Sequence, residues 1–254
     1  MKQMDLQRAS SWKRIAAWML DIMLLCVLAV GAALGLSAVF GYDGYDQKLQ
    51  AAYDSYETRY GVTFNMDQAS YAAMTDAEKA NYEAAYQALI ADEQAMYAYN
   101  MVVNLSLLMT TLGILIAMIA LEFVVPLILK NGQTLGKKCF SLGVVRVDGV
   151  KINPLQLFAR TVLGKYAVET MIPVYILLML FWGAMDMTGT LALLALLITQ
   201  VVCVALGQTR ATIHDRLAGT VVVDIASQKI FESTEDLIAY TKRIHAEQVR
   251  KQDY

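Results

Sequence analysis

Cysteine, histidine and charge are all scarce in this chain. Its 254 residues include three cysteines, Cys26, Cys139 and Cys203, and two histidines, His214 and His245. Three thiols, two of them inside apolar runs, make no disulfide framework. No Cys/His group has metal-ligand spacing, so no metal or other cofactor is expected. A phosphate loop is missing too. In "GQTLGKK" only three residues separate Gly132 from Gly136, and Lys138 stands where the loop's hydroxyl would be. His214-Asp215 has no nucleophile at a defined spacing, which points away from an enzyme, and nothing points to a nucleic-acid partner. Charged residues make up 17% of the chain and hydrophobic ones 57%, against about a quarter charged in an average soluble domain.

The apolar residues are gathered into runs. Crossing the hydrocarbon layer takes about 20 apolar residues as a helix. Residues 15–40 and 101–129 exceed that length, 188–206 just reaches it, and 170–185 is shorter. The first run is too long for a signal-peptide core and carries an acid, so it reads as an uncleaved anchor. The pattern predicts an all-α integral membrane protein with about four transmembrane helices, in which 170–206 either spans twice or forms a re-entrant hairpin. The lipid bilayer is its first partner.

A net charge of −2 hides a partition. Residues 41–100 hold ten acids against three bases, and residues 130–165 hold seven bases against one acid, Asp148. Lys2, Arg8, Lys13 and Arg14 precede the first run, with Asp5 as the acid among them. Lysine and arginine near span ends stay on the cytoplasmic side. A multi-pass protein of the cell membrane with both termini cytoplasmic is therefore expected, and 41–100 lies outside. The organisation reads as amino terminus and first span (1–40), extracytoplasmic insertion (41–100), second span (101–129), cytoplasmic loop (130–166), third and fourth spans (167–207) and cytoplasmic tail (208–254).

The insertion carries ten tyrosines. Spacings of three and four, as at Tyr53, Tyr56 and Tyr60, put rings on one helical face. Thr75 and Glu78 have capping-box spacing. A helical hairpin is predicted, 45–60 and 75–99, with "YGVTFNMD" as its turn and the second helix running on into span two. The tyrosine stripe could pack the two helices, lie on lipid headgroups, or meet an extracytoplasmic protein partner. In the loop, "GVVRVDGVKI" alternates around Asp148-Gly149 as a hairpin would, and "TVVV" near the C-terminus could pair with "GVVRV", a small cytoplasmic β element. Asn153-Pro154 opens a helix. That helix, 154–169, is amphipathic and expected along the inner interface before span three. Ser233 opens a polar helix in the tail.

Charges at membrane depth carry the functional reading. A carboxylate there costs about 2.5–3.5 kcal/mol even on lenient scales, so Asp21 must be neutral, partnered or facing water. Arg14 lies seven residues earlier on the same helix face, about 10 Å away along the axis. Asp21 and Glu122 fall at one depth, about 10–12 Å from the cytoplasmic side. Two such acids make a proton-sharing pair or a cation site with oxygen ligands. His214-Asp215 follows span four on the same side, where Asp215 could reach Arg14. Each also has a plainer reading: Glu122 snorkels or hydrogen-bonds within the bundle, Arg14 and Asp215 form a structural latch, and Arg14 simply obeys the inside-positive bias.

At these residues the sequence resembles the RDD family of membrane proteins, named for one arginine and two aspartates. "WKRIAAWMLD" supplies Arg14 and Asp21. "GQTLGKKCFSLGVVRVDG" is similar to the family's glycine-rich segment through Thr134, Leu135, Gly136 and Lys137. "IHDRLAGTVVV" is similar to its closing motif through His214, Asp215, Ala218, Gly219 and Thr220. The resemblance covers 12–40 and 101–225 and leaves out the tyrosine-rich insertion and the tail. It implies a transporter, or transporter subunit, of a small ligand or of monovalent cations and protons, with Arg14, Asp21, His214 and Asp215 as ligand, ion or gating residues, and the matched depth adds Glu122 to them. No inverted repeat is visible, so a transporter of this size would need to form a homodimer. The alternative is a membrane scaffold or assembly protein whose charged trio is structural and whose outer hairpin binds a partner.

Overall fold

A computed structural model of the chain describes residues 9–129, 132–181, 183, 187–206 and 211–252. The charges expected at Lys2, Asp5, Arg8 and Lys130, and Asp186 between the third and fourth expected spans, lie outside the described residues. The chain divides into two compact units, Ala29–Gly113 on the one hand, and Met1–Leu28 with Ile114–Tyr254 on the other.

The first helix, α1, covers Ser11–Phe40. It leaves Val27, Val30, Leu34 and Val39 exposed, as a helix whose solvent is acyl chain would. In the smaller unit, α2 (Tyr42–Tyr60), the short α3 (Gln68–Ala73) and α4 (Asp76–Ala91) follow. The Thr75–Glu78 capping box forms in both directions at the start of α4. Rings hold the layers together: Tyr45 meets Tyr97 edge-on at 6.1 Å, and Phe64 bridges Tyr53 and Tyr82 at 5.8 and 5.7 Å. The helix expected to run unbroken from residue 75 into the second span is interrupted. Asp92 leaves helical geometry, and its Oδ1 accepts from the Gln94 and Ala95 amides, capping a new helix, α5, over Glu93–Met118. An aspartate that can satisfy free amides favours a cap over a helix interior.

In the larger unit the chain leaves α5 through a π-helical turn, Ile119–Val124, into α6 (Val125–Ile128). Pro126 follows the π turn. Its ring has no N–H for the Glu122 carbonyl four residues back, and the Thr161 hydroxyl donates to that carbonyl at 2.9 Å. Next come α7 (Leu135–Cys139), strand β1 (Leu142–Arg146) and α8 (Pro154–Phe158). The Asn153 cap and Pro154 start α8 as expected, with Gln156 completing a capping box.

From α8 the chain stays helical without a break through a 13-residue π-helical stretch, Ala159–Met171, into α9 (Ile172–Phe181). This corrects the expected interfacial helix: 154–169 is no separate surface element, and Pro154–Leu180 is one apolar helix of 27 residues. Of its charges Arg160 is buried against Asp215, and Lys165 and Glu169, half-buried, pair with Glu122 and His214. Ser11–Phe40, Glu93–Ile128 and Pro154–Leu180 are the three helices among the described residues long and apolar enough to cross a membrane. The last apolar helix, α10 (Met187–Leu206), is shorter in its apolar part, Met187–Cys203, so the fourth expected span falls below that measure.

Helix α11 (Ile213–Ala218), strand β2 (Thr220–Asp224) and α12 (Thr234–Gln252) complete the unit. Ser233 Oγ accepts from the Asp236 amide at the start of α12. Strands β1 and β2 pair antiparallel, Leu142 opposite Asp224 through Arg146 opposite Thr220. The hairpin expected around Asp148-Gly149 is reduced to one bridge, Val145 to Lys151. Both faces of the sheet are buried. Leu142, Val144 and Val222 pack on Ala17 of α1, and Val145, Val221 and Val223 form the opposite cluster, which is why both strands read as unbroken apolar runs.

Replacing Thr161 with valine strands the Glu122 carbonyl. A loss of about 1–3 kcal/mol is expected, read as a lower thermal midpoint of the purified protein, and an unchanged midpoint would contradict this account of the π turn.

Candidate functional site

Three groups of buried charge meet in the larger unit. The first centres on Asp215, which is 0% exposed. Its Oδ1 accepts from Arg160 Nε at 2.8 Å and from the Thr220 hydroxyl at 3.0 Å. Its Oδ2 accepts from the Thr212 hydroxyl at 3.0 Å and faces Arg14 Nη2 at 4.0 Å. Oδ1 thus takes two hydrogen bonds, and Oδ2 takes one beside the charge of Arg14. Burial alone would raise this carboxyl, but the Arg160 guanidinium outweighs it and holds the group well below the usual carboxylate range.

Beside it, Arg160 Nη2 lies 3.0 Å from His214 Nε2, and His214 Nδ1 lies 2.6 Å from Glu169 Oε2. Arginine only donates, so Nε2 is the acceptor and the ring's single proton sits on Nδ1, donated to Glu169. Burial pushes the imidazole below its ordinary value, with Asp215 pulling the other way and Arg160 adding to the fall. A glycine makes this contact possible. A Cβ on Gly164 would lie 2.6 Å from the His214 Cβ and 2.7 Å from its Cα.

The second group answers for the acid in α1. Asp21 is buried, its Oδ1 accepting from the Gly136 amide at 2.8 Å and its Oδ2 from the Thr134 hydroxyl at 2.5 Å. Thr134 is itself the cap of α7, so a side chain from the first helix supplies negative charge to the start of another. Lys137 Nζ stands 4.0 Å from Asp21 Oδ2. Burial pulls the Lys137 ammonium down to about 8, against the Glu122 carboxylate, which draws it back up.

In the third group Glu122, on the π turn, is buried and pairs through Oε1 with Lys165. Its Oε2 is the one buried side-chain oxygen or nitrogen among the described residues with no hydrogen-bond partner.

The π winding of Ala159–Met171 gathers Arg160, Lys165 and Glu169. In an α-helix, steps of five and nine residues rotate through about 140° and 180°, scattering the three around the axis. With i→i+5 bonding, at about 4.4 residues per turn, the same steps leave them within about 50° and 20° of one another. Arg14, Asp21, Lys137, Arg160, Lys165 and Asp215 all line one cavity of about 550 Å³.

Arg14, His214 and Asp215 thus converge as the charge partition suggested, and Asp21 lines the same cavity. Asp21 and Glu122 do not form the proton-sharing or cation-binding pair expected of them. Asp21 is held by Thr134 and Gly136, Glu122 by Lys165, and Lys137 feels both. The two acids find separate partners elsewhere in the chain, a hydroxyl and a backbone amide for Asp21 and an ammonium for Glu122. Lys137 was noted only within the glycine-rich segment, and Arg160, Lys165 and Glu169 were missed as site residues because α periodicity spreads them. Their signal was their presence in a segment otherwise apolar enough to continue into span three.

A sequence model described as the RDD family matches residues 8–219. No curated protein and no solved structure matches the chain.

Two outcomes follow from this geometry. A Cβ at residue 136 would lie 2.2 Å from the Ala17 carbonyl oxygen and 2.9 Å from Asp21 Cγ. Gly136→Ala is therefore expected to cost about 3 kcal/mol, seen as a large drop in thermal midpoint, and a wild-type midpoint would disprove the close approach. His214 is faced by Glu169, Arg160 and Asp215, and the fold resists its protonation. Below its ordinary value of 6.5 the unfolded chain takes up a proton that the folded one refuses, so its stabilisation is complete above that pH and lost as pH falls. Between about pH 7.5 and about pH 5.5 the wild-type midpoint should fall further than that of His214→Gln; equal falls would refute the assignment.

Proposed function

This chain belongs to the RDD family, and on that premise we propose that it is a membrane transporter, or a subunit of one, that exchanges a small polar ligand for protons through the cavity lined by Arg14, Asp21 and Asp215. The observation that carries the reading is Glu122 Oε2, buried and without a hydrogen bond among the described residues, on a carboxylate whose partner Lys165 lines a cavity of ligand-site size. A proton suits this oxygen better than a metal cation. A cation needs several converging acceptor oxygens, whereas N–H and O–H donors occupy the carboxylates of Asp21 and Asp215. In this reading Arg14 and Asp215 hold the cavity's mouth, and that end of the helices faces the cytoplasm, as the surplus of lysine and arginine around it favours.

The second reading is a scaffold, favoured by how completely the Asp215 carboxylate is satisfied. A fully paired buried network fixes helix register without moving anything. There Asp215→Asn lowers the thermal midpoint, and no flux accompanies the wild type.

The deciding measurement is the decay of a pH gradient in sealed liposomes, followed with a trapped pH dye and with sodium salt alone, glycine or phenyl phosphate outside. Wild type is expected to dissipate the gradient several-fold faster than empty vesicles, and Glu122→Gln to return to their rate. Equal rates for the two proteins, or neither above empty vesicles, would remove the transport reading.

A further inference from the structure

The cavity wall holds four cationic side chains, Arg14, Lys137, Arg160 and Lys165, and two carboxylates, Asp21 and Asp215. The carboxylates are spoken for. Asp215 takes Arg160, Thr212 and Thr220 and faces Arg14, while Asp21 takes Thr134 and Gly136. Lys165 turns to Glu122. Lys137 is left poorly served. It is 9% exposed, and among the described residues its ammonium has one long hydrogen bond, 3.3 Å to the Thr134 hydroxyl, with Asp21 at 4.0 Å. An ammonium brings three donors, and taking it from water without acceptors is costly. Ile15, Trp18, Val201 and Val222 give the same wall an apolar part.

We propose that this cavity binds a small organic anion, a carboxylate or phosphate head on an apolar body, with the Lys137 ammonium as its anchor. The head oxygens supply the acceptors that Lys137 lacks and offset the surplus of positive charge, and the body lies against Trp18 and Val201. The same surplus repels a cationic ligand. The inference rests on the cavity of the preceding proposal and names the class of its ligand. Free solute and membrane lipid both offer that chemistry, and the test separates them.

Full-length protein in detergent is titrated with benzoate, phenyl phosphate and benzylamine by calorimetry, with no gradient present. In parallel, protein in nanodiscs of phosphatidylglycerol or phosphatidylcholine is analysed for retained lipid by native mass spectrometry. The expected result is binding of at least one anion and not of benzylamine, weakened about tenfold or more in Lys137→Met. Phosphatidylglycerol retained in a Lys137-dependent manner, with the soluble anions ignored, assigns the head to a lipid. Should Lys137→Met fail to fold, Val201→Trp, which fills the apolar end without touching a charge, is expected to weaken the same binding. Preference for benzylamine, no anion held by wild type in either format, or binding unchanged in the folded variants would overturn the proposal. Because binding is read at equilibrium, it stands even if the liposomes show no flux, and proton flux through Glu122 stands even if no anion binds.

Discussion

Taking a guanidinium and a carboxylate out of water together costs several kcal/mol per ion unless every remaining donor and acceptor is met. Arg160 and Asp215 are the pair on which the larger unit depends, at 2% and 0% exposed. Asp215 satisfies its oxygens from three directions: the π-helical stretch through Arg160, the loop before α11 through Thr212, and β2 through Thr220. The ion pair therefore joins a long apolar helix to the sheet. Arg14 adds α1 to the same point, and Lys13 ties that helix to the far end of β2 through Asp224 at 2.7 Å. Losing either charge of the central pair would leave its partner buried and unmatched, the situation that makes such networks all-or-none.

The π winding is what allows these contacts. Regular α geometry would send Arg160 and Glu169 to opposite sides of the helix, and one of them would meet acyl chains. The wider turn lets a single helix serve Asp215, Glu122 and His214 at once. Gly164 lets α11 lie directly against its backbone. π turns are tolerated where they serve a site and are rare elsewhere, and each of the two here carries one buried charge, Glu122 and Arg160.

Much of this could be read from the residues. Asp21 had to be sheltered because an unpaired acid in lipid is too costly, and it is. The charge partition put Arg14 and Asp215 on one side of the spans, within reach of each other, and they face each other at 4.0 Å. Thr75 with Glu78 and Asn153 with Pro154 announced helix starts through chemistry local to four residues. "TVVV" sought a partner strand because its apolar run was too short for a span. What was hidden depends on distant chain. Whether Lys165 lies on water or in the bundle turns on Glu122, 43 residues away, and nothing in the amphipathic pattern of 154–169 records that. The break at Asp92 was legible in kind, since aspartate caps helices, but alanine and glutamate on either side argued for continuity.

The staple between Asp21 and the start of α7 joins residues 115 apart in sequence. A ribosome adding roughly 5–20 residues per second needs roughly 6–23 s to cover that distance. For that interval α1 has left the ribosome with its acid uncapped. Assembly at the membrane is thereby ordered in time, the first helix waiting for a partner that does not yet exist.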